Sequence, residues 1–471
     1  MRIQLSDHFN YGRLLRFTLP SIAMMVFTSI YSLVDGFFVS NFVGKTAFAA
    51  INLIGPVFTI VGSLGMMIGA GGTAIVGKTL GEKDSEKANK YFSMLIYVVL
   101  LIGAVTAVVG WFVTEPLARM LGAEGQMLED CIIYGRISFI GSPFFMLQFS
   151  MQTFFITAEK PKLGLFTTVF GGVSNIVLDW LLIAVLPWGV WGAAIATTLS
   201  QTLATLFALI YFASPNTSLL RLTTKTKLYG KVLGKACVNG SSEMVGNIAY
   251  SIVTILYNTQ LLKYYGEDGV AAYGVLMYVG FIFSAIYYGY SMGIAPVISY
   301  NFGAQNHLEM KNLFRKSMTL VGVIGVGMLA VSQLAASVLS IIFVGYDEGL
   351  YNLTCQALRV YSVSFLFMGV AAFGSSFFTA LNDGVVSAAI SFLRAFVFEI
   401  GAILLLPMLL GKEAIWWAVV VSELAALLLT VIFLVIMLMY GKEASNRKQE
   451  IDHQHYTIPN QRPKDKHCGK I

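Results

Sequence analysis

Apolar runs long enough to cross a bilayer recur along the whole chain, separated by short polar or charged segments. A spanning helix needs about 20 apolar residues to cover ~30 Å of hydrocarbon. On that pattern we read twelve spanning helices, at 14–42, 47–77, 91–114, 131–155, 163–186, 189–213, 229–262, 270–300, 317–345, 355–380, 386–410 and 414–440. Continuous runs of this kind, in place of alternating segments of about ten residues, exclude an outer-membrane barrel. The first run is too long for a signal-peptide core and has no small-residue cleavage pattern, so it is read as part of the mature protein.

The charged residues give the helices a direction. Of the 31 Lys and Arg, twenty-four fall in one set of connections: Arg2, Arg13 and Arg16, Lys78 to Lys90, Lys160 and Lys162, Arg221 to Lys235, Lys311 to Lys316, and the tail from Lys442. The alternate connections hold only Lys45, Arg119, Lys263 and Lys412 and are otherwise acidic. By the positive-inside rule both termini of this multi-pass protein face the cytoplasm. The net charge of +6 follows from this asymmetry and calls for no nucleic-acid partner. Only 12% of the residues are charged, with 56% hydrophobic and a mean hydropathy of +0.73. A soluble domain carries about 25% charged residues.

An internal repeat organises the chain. Tyr11-Gly-Arg-Leu-Leu lines up with Tyr229-Gly-Lys-Val-Leu at an offset of 218. After a four-residue difference assigned to the first loop, Gly71, Gly81 and Phe92 match Gly293, Gly303 and Phe314 at 222. Asp179 precedes Pro187 by eight residues, as Glu399 precedes Pro407. Six helices per repeat is an even number, so the halves share one orientation. The expected organisation is an all-α membrane protein with a six-helix lobe at 1–213, a polar interlobe linker at 214–228, a second lobe at 229–441 and a disordered tail at 442–471. At the offset of 218, Asp35 aligns with Val253, so the two lobes differ in chemistry.

Charges inside the membrane are the candidate chemistry. A central Asp costs ~2.5–3.5 kcal/mol on insertion scales, so such residues are read as functional. Asp35 lies in the second half of the first helix, fifteen residues after Pro20, which leaves a carbonyl unsatisfied and is a candidate hinge. In the fifth helix Asn175 and Asp179 are four apart and share a face, where they can share a proton or coordinate a cation. Thr197 and Thr198 in the sixth helix follow a small-residue run suited to close helix approach. Tyr134 in the fourth helix is either an interfacial anchor or a polar group near a cavity. The second half carries Glu243, Glu399 and Glu423; a pairing of Arg394 with Glu399 is considered, and Glu243 has no cationic neighbour in sequence.

Other chemistries find no support. Cys131, Cys237, Cys355 and Cys468 are scattered without a C-x-x-C pair. His453 and His455 have no further ligands nearby. No G-x-x-x-x-G-K-[S/T] occurs, which argues against direct ATP drive, and no catalytic set stands out. No cofactor and no metal are expected, save Na⁺ at the Asp35–Asn175–Asp179 group.

Several stretches carry a resemblance: VDGFFVSNFVG (34–44), AFAAINLIGP (47–56), NIVLDWLL (175–182), GVWGAAIAT (189–197) and APVISYNFGAQN (295–306). Together they resemble the multidrug and toxic compound extrusion (MATE) family, over essentially the whole chain from Tyr11 to Tyr440, and most closely its bacterial multidrug-exporting branch. The resemblance implies a protein of the bacterial cell membrane that exports lipophilic, often cationic compounds as a monomer, through H⁺ or Na⁺ antiport between two rocking lobes. It further implies that Asp35, Tyr134, Asn175, Asp179 and Thr197 form the cation-coupling network. Pro20 matches a first-helix bend, and Glu243 resembles a seventh-helix acid of the second lobe. The alternative is a flippase for lipid-linked oligosaccharides, which needs a cationic cavity where this chain has acids. An embedded enzyme or a channel fits the repeat less well.

Overall fold

Side-chain caps set several helix starts. Asn10 accepts the amide of Arg13 at 2.8 Å, Asp84 that of Lys87 at 3.0 Å, Asn306 that of Glu309 at 3.1 Å and Asp347 that of Leu350 at 2.8 Å. The computed structural model describes residues 3–456, and these are nearly all helical. The first half comprises α1 (Tyr11–Phe38), α2 (Lys45–Gly81), α3 (Ser85–Met120), α4 (Gly125–Ile140), α5 (Ser142–Thr157), α6 (Pro161–Asp179) and α7 (Gly189–Ala213). The second comprises α8 (Gly230–Gly303), α9 (His307–Val344), α10 (Glu348–Ser362), α11 (Phe365–Ala380), α12 (Gly384–Phe392), α13 (Ile400–Leu410) and α14 (Ala418–Tyr456). Wide π-helical turns follow α1 (Val39–Val43) and α6 (Trp180–Val185) and join α12 to α13 (Leu393–Glu399).

Among the described residues, nine continuous helical stretches are long and apolar enough to cross a membrane, and two bent pairs, α4 with α5 and α10 with α11, qualify together. The 74 residues of α8 would extend ~110 Å as one straight helix, far beyond a bilayer. Gly266, at φ 66° and ψ −150°, breaks α8 into two spans. The described residues thus supply the twelve spans that the hydropathy pattern predicts. The bends, 56° between α4 and α5 and 46° between α10 and α11, occupy corresponding places in the halves. The first has Gly141 and Pro143 to explain it. The second is held by Gln333, which donates to the Arg359 carbonyl at 2.8 Å and to Ser362 Oγ at 2.9 Å.

Several expectations need correction. The helices α3 and α9 begin at Ser85 and His307, six and ten residues before the apolar windows, because their caps recruit charged turns. The helical backbone of α14 continues through the start of the tail to Tyr456, where disorder was expected from 442; the remainder of the tail lies outside the described residues. Gly44 and Gly266 both take positive φ at the first turn of each half, 222 residues apart. The four extra residues therefore lie within the first helix of the second half, not in the loop, and the turn-anchored counterpart of Asp35 is Tyr257.

The halves meet along α2, α8 and the first part of α1. Gly71 and Gly240 pack directly on the backbone of Ala236 and Met67, with no room for a Cβ. Residues 5–9 run between the halves ahead of α1: the Leu5 amide donates to Glu159 at 2.8 Å and the Phe9 amide to Glu309 at 2.9 Å. Among the described residues, no side-chain hydrogen bond joins residues 23–60 to 248–290, so the halves are hydrogen-bonded only toward the end that carries the N-terminus.

Candidate functional site

Close helix packing brings the first-half polar residues together. Gly172 on α6 leaves space that the rings of Phe27 and Tyr31 on α1 fill. One turn further along α1 stands Asp35, and one and two turns further along α6 stand Asn175 and Asp179. The glycine thus fixes the register that sets the two acids side by side. Asp179 closes α6 just before the π-helical turn Trp180–Val185, a local widening common at functional sites.

Asp35, Asn175 and Asp179 interact electrostatically, and Thr197 Oγ1 on α7 donates to Asp35 Oδ1 at 3.5 Å. Tyr134, on α4, is an electrostatic neighbour of both carboxylates and packs edge-on to Phe58 with ring centroids 6.2 Å apart. Asp179 is fully buried and Asn175 nearly so. Among the described residues, both Asp179 oxygens and the Asn175 Nδ2 have no hydrogen-bond partner. An unpaired buried carboxylate carries a desolvation cost of several kcal/mol. A proton shared between the two acids offsets it, and so does a small cation held by the carboxylate, amide, hydroxyl and phenol oxygens. The donor set fits either. Tyr31, one turn before Asp35 and its electrostatic neighbour, was not singled out from the sequence, although the i, i+4 spacing points to it.

The other candidates stand elsewhere. Pro20 is buried within an unbroken α1. Next to it Thr18, Ser21 and Ile22 lie against Gly293 and Gly289 of α8, so the proline turn rests on the second half. Glu243 is half-buried on α8, with no hydrogen bond or ion pair to its carboxylate among the described residues. Arg394 does not pair with Glu399; it donates from Nε at 3.1 Å and Nη2 at 2.6 Å to Glu423 Oε1 on α14. Helical spacing favours neither partner, and a residue 29 positions away is reached only through tertiary packing.

The chain is similar to known proteins over most of its length. A family model described as MatE matches residues 20–181 and again 244–404, so the two matches reproduce the repeat. The Multidrug export protein MepA of Staphylococcus saprophyticus is 26% identical over 421 residues, covering 88% of this chain and 92% of that protein. MepA of Staphylococcus aureus (strain MRSA252) is 26% identical, over 89% of this chain and 93% of its own. Among solved structures, a MATE in complex with MaL6 superposes with a TM-score of 0.88 at 21% identity, covering 93% of this chain and 98% of that one. An outward-facing multidrug resistance MATE family transporter of the MOP superfamily gives 0.87 at 21%, with the same coverage. A MOP superfamily transporter from Pyrococcus furiosus, described as having a binding pocket of reverse polarity, gives 0.84 at 22%, over 90% of this chain and 95% of its own.

Proposed function

We propose, from the premise that this chain belongs to the MATE family, that it couples multidrug efflux to H⁺ or Na⁺ through the Asp35–Asn175–Asp179 cluster. It is a membrane transporter and not an enzyme. The observation that carries the coupling role is the pair of interacting carboxylates with unpartnered buried polar atoms around them. A cation entering this group removes the desolvation penalty of the acids and changes what α1 bonds to. The first helix then links that event to the second half, since its proline turn lies against Gly289 and Gly293.

The halves are hydrogen-bonded at the end rich in Lys and Arg, which the positive-inside rule makes cytoplasmic. This supports an outward-open arrangement, with the substrate leaving from the cleft at the other end. A ligand shifts such an equilibrium only by its differential affinity for the two states. Export therefore requires that drug and coupling cation favour opposite openings. Lipophilic small molecules are the substrates, and the single chain is the transporting unit. The test is efflux of a fluorescent lipophilic cation from proteoliposomes with imposed pH or Na⁺ gradients, each collapsed separately. Unchanged efflux after both gradients are removed defeats the coupling proposal.

A further inference from the structure

The two halves treat one matched cation differently. Ser85 opens α3 and His307 opens α9, 222 residues on, while Gly125 opens α4 and Glu348 opens α10, 223 on. In that register Arg136 of α4 matches Arg359 of α10, and Trp111 and Glu115 of α3 match Gln333 and Ser337 of α9. The same positions touch in both halves. Arg136 Nε donates to the Trp111 carbonyl at 3.3 Å, and Gln333 Nε2 donates to the Arg359 carbonyl at 2.8 Å. The charges differ. Arg136 lies 3.9 Å from Glu115 and 5.1 Å from the Trp111 ring centroid. Around Arg359 the acid has become a serine and the ring an amide. Among the described residues its guanidinium makes no hydrogen bond or ion pair.

A pocket of about 380 Å³ opens beside this arginine, lined by Ser337, Tyr351, Asn352, Gln356 and Arg359 among others, and none of the residues lining it is acidic. By the positive-inside rule α9 ends and α10 begins at the outer surface. Arg359 is exposed and stands eleven residues beyond Glu348, roughly 16 Å along the helix. Helical side chains lean toward the N-terminal end, so its stem rises toward the outer headgroups. The face of α9 next to the pocket is apolar and outward, with Leu334 85% exposed and Val338 and Ile341 58% each. A lone guanidinium on such a face is costly without a counter-charge. A lipid phosphate supplies one, and the planar fork of arginine matches it with two parallel bonds. The ammonium of a zwitterionic lipid finds no carboxylate in the pocket wall. Headgroup hydroxyls find Ser337, Asn352 and Gln356.

We infer that Arg359 anchors a binding site for the phosphodiester of an anionic, hydroxylated glycerophospholipid of the outer leaflet, such as phosphatidylglycerol. Its acyl chains lie along Leu334, Val338 and Ile341 of α9. The first half has no such site because Glu115 already supplies the counter-charge to Arg136. The bound headgroup rests against the bend between α10 and α11, where Gln333 holds the Arg359 carbonyl.

The experiment places the photo-crosslinker p-benzoylphenylalanine at Leu334 of the full-length transporter, in nanodiscs of equal phosphatidylglycerol and phosphatidylcholine with the same acyl chains. Mass spectrometry identifies the lipid captured. Phosphatidylglycerol should be enriched at least about fivefold over the bulk mixture. Arg359→Gln should return the captured lipid to the bulk ratio, and so should Ser337→Glu, which installs the acid of the first half. Arg136→Gln should keep the enrichment. A bulk ratio in the parent protein, or enrichment that survives Arg359→Gln, overturns the site. Enrichment that excess inorganic phosphate abolishes and chloride does not overturns the lipid assignment, since the pocket then takes free phosphate. Should Ser337→Glu not fold, Arg359→Gln, at an exposed position, decides alone.

Discussion

Gly77 and Ser299 occupy the same position in the two halves, 222 residues apart, and they touch: a Cβ on Gly77 would meet the Ser299 hydroxyl. The contacts around them are reciprocal. Gly81 lies on the backbone of Tyr300, and Gly303 on that of Lys78, each pair exchanging partners at the same offset. A contact of this kind marks a pseudo-twofold axis through the crossing of α2 and α8. The repeat read in the sequence is therefore also the symmetry of the interface.

The crossing makes matched demands on its two glycines. Gly81→Val and Gly303→Val should each destabilise the transporter by about 1–3 kcal/mol, the usual range for overpacking, and to similar extents. Gly246 has open space around it, so Gly246→Ala should be neutral or slightly stabilising, as expected inside a helix. Thermal unfolding in detergent checks all three. A large asymmetry between the first two would remove the case for an isologous crossing.

Asp35→Asn and Asp179→Asn each keep shape and hydrogen-bonding capacity but remove one charge from the proposed coupling cluster. Both should reduce gradient-driven efflux to the level of empty vesicles while insertion and monodispersity persist. Thr197→Ala, which removes a 3.5 Å contact to Asp35 and a polar neighbour of Tyr134, should leave partial transport. Full efflux from Asp35→Asn sinks the assignment of the coupling site.

How much of this was legible follows from what each residue depends on. Asp35, Asn175 and Asp179 stand out because an acid in an apolar run is costly wherever the chain folds. Their adjacency depends on Gly172 accepting the rings of Phe27 and Tyr31, and the sequence alone does not specify that contact. Hydropathy located the spans but missed the starts of α3 and α9, which depend on Asp84 and Asn306 as caps. The bend at Gly141 has a proline beside it, whereas its counterpart at Val363 and Ser364 is held by Gln333 from a neighbouring helix. Glu423 as the partner of Arg394 is likewise a tertiary fact.

Breaking that buried pair tests its structural weight. Glu423→Ala leaves Arg394, with a side chain only 16% exposed, without its partner and should cost about 3–5 kcal/mol. The double change Arg394→Met with Glu423→Leu should recover most of the loss, because a packed apolar pair often replaces a buried ion pair at little cost. Melting temperatures of the two variants and the wild type give the comparison. A double variant as unstable as Glu423→Ala refutes this account.

The segment before α1 crosses the end at which the two halves are hydrogen-bonded. Leu5 and Phe9 are fully buried although neither lies in a helix. Their backbone groups are satisfied from both halves: Glu159 takes the Leu5 amide, while Asn301 donates to the Leu5 carbonyl at 3.3 Å, and Asn312 and Lys316 donate to the Phe9 carbonyl at 3.0 and 2.7 Å. Glu309 receives the Phe9 amide and lies 2.6 Å from His8 Nδ1. Opening this end must break one set of these bonds. Phe9→Ala removes a ring worth about 3–5 kcal/mol in a packed core, and Glu309→Gln weakens the acceptor of a charge-assisted bond. Both should shift the protein toward the state open at this end. Cys237, half-buried in the cluster that α2 shares with the start of α8, is a native reporter. Its alkylation, resolved from the other thiols by mass spectrometry, should speed up several-fold in either variant and return to the wild-type rate in Glu309→Asp only if the shorter acid still reaches the Phe9 amide. An unchanged Cys237 rate in both Phe9→Ala and Glu309→Gln shows that this segment does not hold the halves together.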